Sequence, residues 1–211
     1  MKELFEYYQI NGHVVFEQFI RHFLISVYGV LFACLLAIPV GMYISRYRKL
    51  SGFVIGIANV IQTIPSLALL SILMVVMGLG TNTVVATVFL YSILPILKNT
   101  CTGLNNVSYD LIDVAKGMGM TRRQILFKVK LPLSLSVIIG GIRNALVIAV
   151  GVTTIGTFIG AGGLGDIISR GIVVSNGSAI IWAGTIPTAV MAVVFDLALG
   201  GLESKLTKRV S

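Results

Sequence analysis

The chain has 211 residues, of which 56% are apolar and 11% charged, with 16 Lys and Arg against 8 Asp and Glu and a formal net charge of +8. A soluble domain carries about 25% charged residues, so this composition excludes an ordinary water-soluble fold and describes a chain whose outer surface faces lipid. Its 2 cysteines, Cys34 and Cys101, form neither a disulfide framework nor a zinc-type spacing.

Met1 to Arg21 mixes charges with aromatic residues, and no charge then falls from Phe23 to Ser45. That tract makes a helix of roughly 35 Å, enough to cross about 30 Å of hydrocarbon, and it is too long for a cleaved leader. A second uncharged tract runs from Leu50 to Leu97 and would be about 72 Å long as one helix. It is expected to fold back at Gly78-Leu79-Gly80-Thr81-Asn82, giving spans over 52–77 and 83–97. Residues 98–130 are polar and basic and read as an aqueous loop. A fourth span is expected over 131–158 and a fifth over 179–202, joined by a Gly-rich connection with room for a short re-entrant or interfacial helix. The fold class is therefore all-α, a polytopic bundle of about five spans in one transmembrane domain.

Lys and Arg in the connections set the orientation. Arg46, Arg48, Lys49, Lys98, Lys116, Arg122, Arg123, Lys128, Lys130, Lys205, Lys208 and Arg209 fall on one side, and Lys2, Arg21 and Arg170 on the other. The richer side is expected to be cytoplasmic, with the N-terminus outside and the C-terminus inside. The positive charge is then topology, and nucleic acid is not an expected partner.

The loop from Ser108 to Lys128 reads as two short helices joined at a glycine. Ser108 can cap the first, Asp110 lies in its first turn where the helix dipole favours a negative charge, and Gly119 can end it in the left-handed conformation. Thr121 with Gln124 forms a capping-box pattern for the second. Leu111, Ile112, Ala115 and Met118 make an apolar stripe at helical spacing, to be covered either by the protein's own spans or by a cytosolic partner.

Asp113-Val114-Ala115, then Gly119, then Val129-x-Leu131-Pro132, resembles the EAA loop of ABC importer permeases (E-A-A, three residues, G, nine residues, I-x-L-P). The spacing agrees throughout, with Asp113 for Glu, Val114 for Ala and Val129 for Ile. Ile61-Gln62-Thr63-Ile64-Pro65-Ser66-Leu67-Ala68-Leu69-Leu70, Gly141-Ile142-Arg143 and Ile159-Gly160-Ala161-Gly162-Gly163-Leu164-Gly165 resemble the permease subunits for glycine betaine, carnitine and choline. The resemblance implies that Asp113, Val114, Ala115, Gly119, Val129, Leu131 and Pro132 couple the chain to cytosolic ABC ATPases. It also implies a second permease subunit, an extracellular substrate-binding protein and residence in a bacterial cytoplasmic membrane. A related amino-acid importer of the methionine type is the alternative cargo class, and a secondary transporter or a membrane scaffold are the rivals outside the class.

The chain has no P-loop, so ATP and Mg²⁺ belong to partner subunits, and no enzymatic or metal site is expected here. Gly160 to Gly165 matches a dinucleotide pattern, but no strand-helix-strand unit surrounds it, and its glycines suit a tight turn and close helix contact. His13 and His22 read as ordinary interfacial residues. Within the spans a charge is costly unless paired, so Arg143 is expected to face the bundle interior with Asp196 as a candidate partner. Gln62, Thr63 and Asn144 are the candidates for lining a hydrated pathway; helix-to-helix hydrogen bonding is their other role.

Overall fold

The computed structural model describes residues 2–208, so Arg209 lies outside the described residues. The described residues form α1 (Lys2–Ile44), α2 (Arg48–Thr63), α3 (Ser66–Met77), α4 (Thr81–Asn105), α5 (Tyr109–Gly117), α6 (Arg122–Gln124), α7 (Leu131–Ile155), α8 (Leu164–Val173) and α9 (Ser178–Lys208). A π-helical turn, Ile125–Lys130, joins α6 to α7, and a 3-10 turn, Gly156–Ile159, closes α7.

Helices outrun the apolar tracts. α1 continues from Lys2 without a break through the mixed-charge segment into the first apolar tract and totals 43 residues, about 64 Å. α4 runs past Lys98 to Asn105, and α6, the π turn and α7 form one continuous rod from Arg122. The segment expected as a loop over 98–130 is therefore largely helical, with non-helical linkers only on either side of α5. A charge ends a hydropathy tract, but only Gly, Pro or a competing cap ends a helix.

The tract expected as a span over 52–77 is two helices bent by 95°. Pro65 has no N–H and forces Ile64 out of helical geometry (φ −67°, ψ 128°), so α2 stops at Thr63 and α3 restarts at Ser66. Among the described residues four helices are individually long and apolar enough to cross a membrane, and the bent pair, counted as one span, makes five.

Inter-helix contacts give the directions. Arg21 meets Thr81 and Cys101 Sγ meets the Gly41 carbonyl, so α1 and α4 run parallel. Gly80 N–H donates to the Ile159 carbonyl while Gly103 lies against Ser134, so α7 returns antiparallel to α4. Gly140 faces Glu203 and Arg143 meets Asp196, so α9 is antiparallel to α7. One end of the bundle thus gathers the ends of α1, α4 and α9 and the start of α7.

The core centres on α4, whose Val84, Val88, Ile96 and Leu97 pack with Ala33 and Ala37 of α1 and Ala145 and Ala149 of α7. A smaller cluster joins Val15, Val150, Leu164, Ile167, Ala183 and Met191, seating α8 between α1, α7 and α9. Outward residues are apolar: Leu35, Val75, Val76 and Leu197 are 66–82% exposed, the pattern of a surface solvated by lipid.

α8 is fixed by close backbone approach, since a Cβ on Gly165 would lie 2.2 Å from the Thr154 carbonyl oxygen. Gly165→Ala should destabilise the fold by about 1–3 kcal/mol through overpacking, read as a lower melting temperature in detergent. An unchanged melting temperature would mean that α8 can move off α7 without cost.

Candidate functional site

The basic residues converge on one end of the bundle. Arg46, Arg48 and Lys49 follow α1, Lys116, Arg122, Arg123, Lys128 and Lys130 occupy α5 to the start of α7, and Lys205 and Lys208 end α9. Lys98 sits on α4, roughly 10 Å short of that end. Lys2, Arg21 and Arg170 belong to the opposite end, where Arg21 reaches Thr81 and Arg170 pairs with Asp166.

At the basic end α5 has two apolar faces. Ser108 Oγ accepts from Asp110 N–H at its start, and Gly119 (φ +75°) ends it in a conformation that a Cβ would strain. Ala115 is buried and Ile112 half-buried against the bundle, whereas Leu111, Val114 and Met118 form an exposed ridge, 49%, 62% and 77% accessible. The stripe expected from sequence is therefore split: Ile112 and Ala115 meet the protein's own spans, and Leu111 and Met118, joined by Val114, face away. Asp113 is exposed and pairs with Lys116 at 2.8 Å.

α5 rests on the π turn. Thr121 and Gln124 complete the capping box, with Thr121 N–H donating to Gln124 Oε1 at 2.7 Å and Gln124 N–H to Thr121 Oγ1 at 3.3 Å. The widened turn has a local cause in Pro132, which lacks a donor and crowds the carbonyl four residues back, and Leu131 N–H accordingly bonds to the Leu126 carbonyl. Val129 and Leu131 are half-buried in this junction and Pro132 is exposed.

Further into the bundle, α2, α4, α7 and α9 border an open cavity of about 670 Å³ whose polar wall is Gln62, Lys98, Asn99, Thr102, Asn144 and Asp196. A pocket of about 220 Å³ adjoins it, sharing Asn99 and Asn144 and reaching Arg143 and Glu203. Gln62 has two roles here. Pro95 leaves the Tyr91 carbonyl without its helical donor, and Gln62 Nε2 supplies one at 3.4 Å; the Tyr91 hydroxyl in turn donates to the Ile64 carbonyl at the helix break. Thr63 is exposed, and its hydroxyl turns back onto the Val60 carbonyl.

Arg143 faces α9, where its Nε donates to Asp196 Oδ1 at 2.5 Å, Nη2 to Asp196 Oδ2 at 2.8 Å and Nη1 to Glu203 Oε2 at 3.3 Å. Two carboxylates thus share one guanidinium. Asp196 is legible as a partner because both charges stand alone in apolar tracts; Glu203 is missed because it follows the last tract, although α9 carries it two turns below Asp196, within arginine reach.

At the opposite end the glycine segment is a fastened turn. Gly163 (φ +90°) donates its N–H to Gln18 Oε1 at 2.5 Å, and the adjacent 3-10 turn accepts from Gly80. His22 is fully buried rather than interfacial: Nε2 donates to the Val150 carbonyl at 3.1 Å and Nδ1 has no partner. Among the described residues no group of His, Cys, Asp or Glu can hold a metal.

A family model for binding-protein-dependent transport system inner membrane components matches residues 29–208. The carnitine transport permease protein OpuCD of Listeria monocytogenes is 62% identical over 206 residues, covering 98% of this chain and 92% of that protein. The glycine betaine/carnitine/choline transport system permease protein OpuCD of Bacillus subtilis strain 168 is 58% identical over 207 residues, covering 98% and 90%. Among solved structures, the inward-facing MetNI methionine ABC transporter superimposes with a TM-score of 0.79 at 21% identity, over 92% of this chain and 96% of that one, which is a likeness of fold.

The shared guanidinium makes the two ends of the ion cluster unequal. Arg143→Gln strands both Asp196 and Glu203, whereas Asp196→Asn leaves Arg143 with Glu203. Melting temperatures in detergent should therefore fall further for Arg143→Gln than for Asp196→Asn; the reverse order would show that Glu203 contributes nothing.

Proposed function

This chain belongs to the family of binding-protein-dependent transport system inner membrane components, and we propose that it is the permease subunit of an ATP-driven importer of quaternary-ammonium osmoprotectants. The cargo class rests on the relatives of 62% and 58% identity, whose names give carnitine, glycine betaine and choline. Family membership replaces the secondary-transporter and scaffold readings.

The observation that carries the coupling role is the unpartnered ridge of Leu111, Val114 and Met118 on a helix held at the basic end. In this reading that end faces the cytosol, as the excess of Lys and Arg demands. A cytosolic ATPase covers the ridge, and Asp113 and Gly119 set its charge and its end. ATP and Mg²⁺ bind to the ATPases, and this chain supplies mechanical response in place of chemistry. Displacement of α5 passes through the π turn, with Val129, Leu131 and Pro132, into α7 and so to Arg143 and Asn144. The cavity bearing Gln62 and Asn144 forms one half of the translocation pathway and a second permease subunit forms the other. A binding protein delivers solute at the end where the glycine turn is fastened.

Gly119→Pro, which cannot adopt a positive φ, and Asp113→Arg should both leave membrane insertion intact. Uptake per ATP hydrolysed should fall by about tenfold, the scale expected when a charge at a protein interface is reversed. Reconstituted complexes assayed for uptake and hydrolysis together decide the matter: an unchanged ratio in both variants would remove α5 from the coupling path.

A further inference from the structure

We propose that the polar cavity selects zwitterions, with Lys98 receiving the carboxylate of the passing solute while the acidic side of the Arg143 cluster faces its quaternary nitrogen. This deepens the osmoprotectant reading and rests on it.

Lys98 is exposed on the wall of the 670 Å³ cavity and forms no ion pair among the described residues. Asp196, on the same cavity, is already held through both oxygens by Arg143. The cluster of Arg143, Asp196 and Glu203 still carries one surplus negative charge. That surplus lies toward Glu203, whose contact with Arg143 is the longer at 3.3 Å and which opens onto the adjoining pocket. Asn99 and Asn144 line both spaces. The joined cavity is thus a dipole, positive at Lys98 on α4 and negative at Glu203 on α9, with two side-chain amides between.

Charge inside a membrane protein is costly unless matched, and a solute passing through meets the same cost. A betaine-type solute carries a carboxylate a few bonds from a permanent cation, and both ends find a counter-charge here. Choline carries the cation alone, so it meets the acidic side of the cluster but leaves Lys98 unmatched and repelled. Within the quaternary-ammonium class the passage therefore favours solutes with a carboxylate over choline, and Lys98 is the residue that sets the preference.

The test uses the complete transporter, with its ATPase and binding protein, in proteoliposomes. Initial uptake of glycine betaine, carnitine and choline is compared for the native protein, Lys98→Gln and Lys98→Arg. Lys98→Gln should lower glycine betaine and carnitine uptake by about tenfold, the scale of a lost charge-assisted hydrogen bond, while choline uptake stays at or above the native level. Lys98→Arg should keep most zwitterion uptake. Unchanged zwitterion uptake in Lys98→Gln, or a parallel loss for all three solutes, would overturn the assignment. A native complex that carries none of the three would instead refute the osmoprotectant reading, and this proposal with it.

Discussion

A carbonyl oxygen in hydrocarbon must find a donor, and at two prolines of this chain a neighbouring helix supplies it. Tyr91 shows the rule twice. Its own carbonyl, freed by Pro95, takes the Gln62 amide, and its hydroxyl satisfies the Ile64 carbonyl freed by Pro65. Two prolines on two helices create two vacancies, and one residue pair closes both. The 95° bend between α2 and α3 is possible because α4 stands beside it with these groups in place. The cavity in turn exists because α2 turns away there and leaves space lined by Gln62.

The same economy governs charge. Arg143 and Asp196 stand in apolar tracts where each would be costly alone, and Glu203 joins them from two turns further along α9. Their side chains remain 33%, 41% and 34% exposed, which fits groups that border an aqueous cavity instead of a dry core. The cluster ties α7 to α9 and borders the space between α4 and α9.

Much of this architecture is legible from sequence because hydropathy and the placement of Lys and Arg record the bilayer directly. The caps at Ser108 and Thr121 and the end at Gly119 are also readable, since each is a local backbone requirement met by a local side chain. What is hidden depends on contacts distant along the chain. The helix break at Pro65 is visible as a proline, but its direction depends on Tyr91, 27 residues away from Ile64. The burial of His22 depends on Val150, 128 residues distant. α1, α4 and α7 extend past their apolar tracts because nothing in those flanks stops a helix, a negative signal that charge counting does not register. Likewise the split of the α5 stripe needs the bundle, since spacing alone cannot say which of two adjacent apolar rows faces inward.

The six-residue π turn ahead of α7 holds a surplus of backbone in a rod that is otherwise regular. If that wide turn tightens to ordinary α geometry, one residue is released, and everything upstream swivels by about 100° and slides by about 1.5 Å along the axis. A drive shaft with a slip ring behaves this way: torque reaches the far end only after the slack has been taken up. The part beneath the bundle and the part within it can therefore hold different angular settings without either helix unwinding.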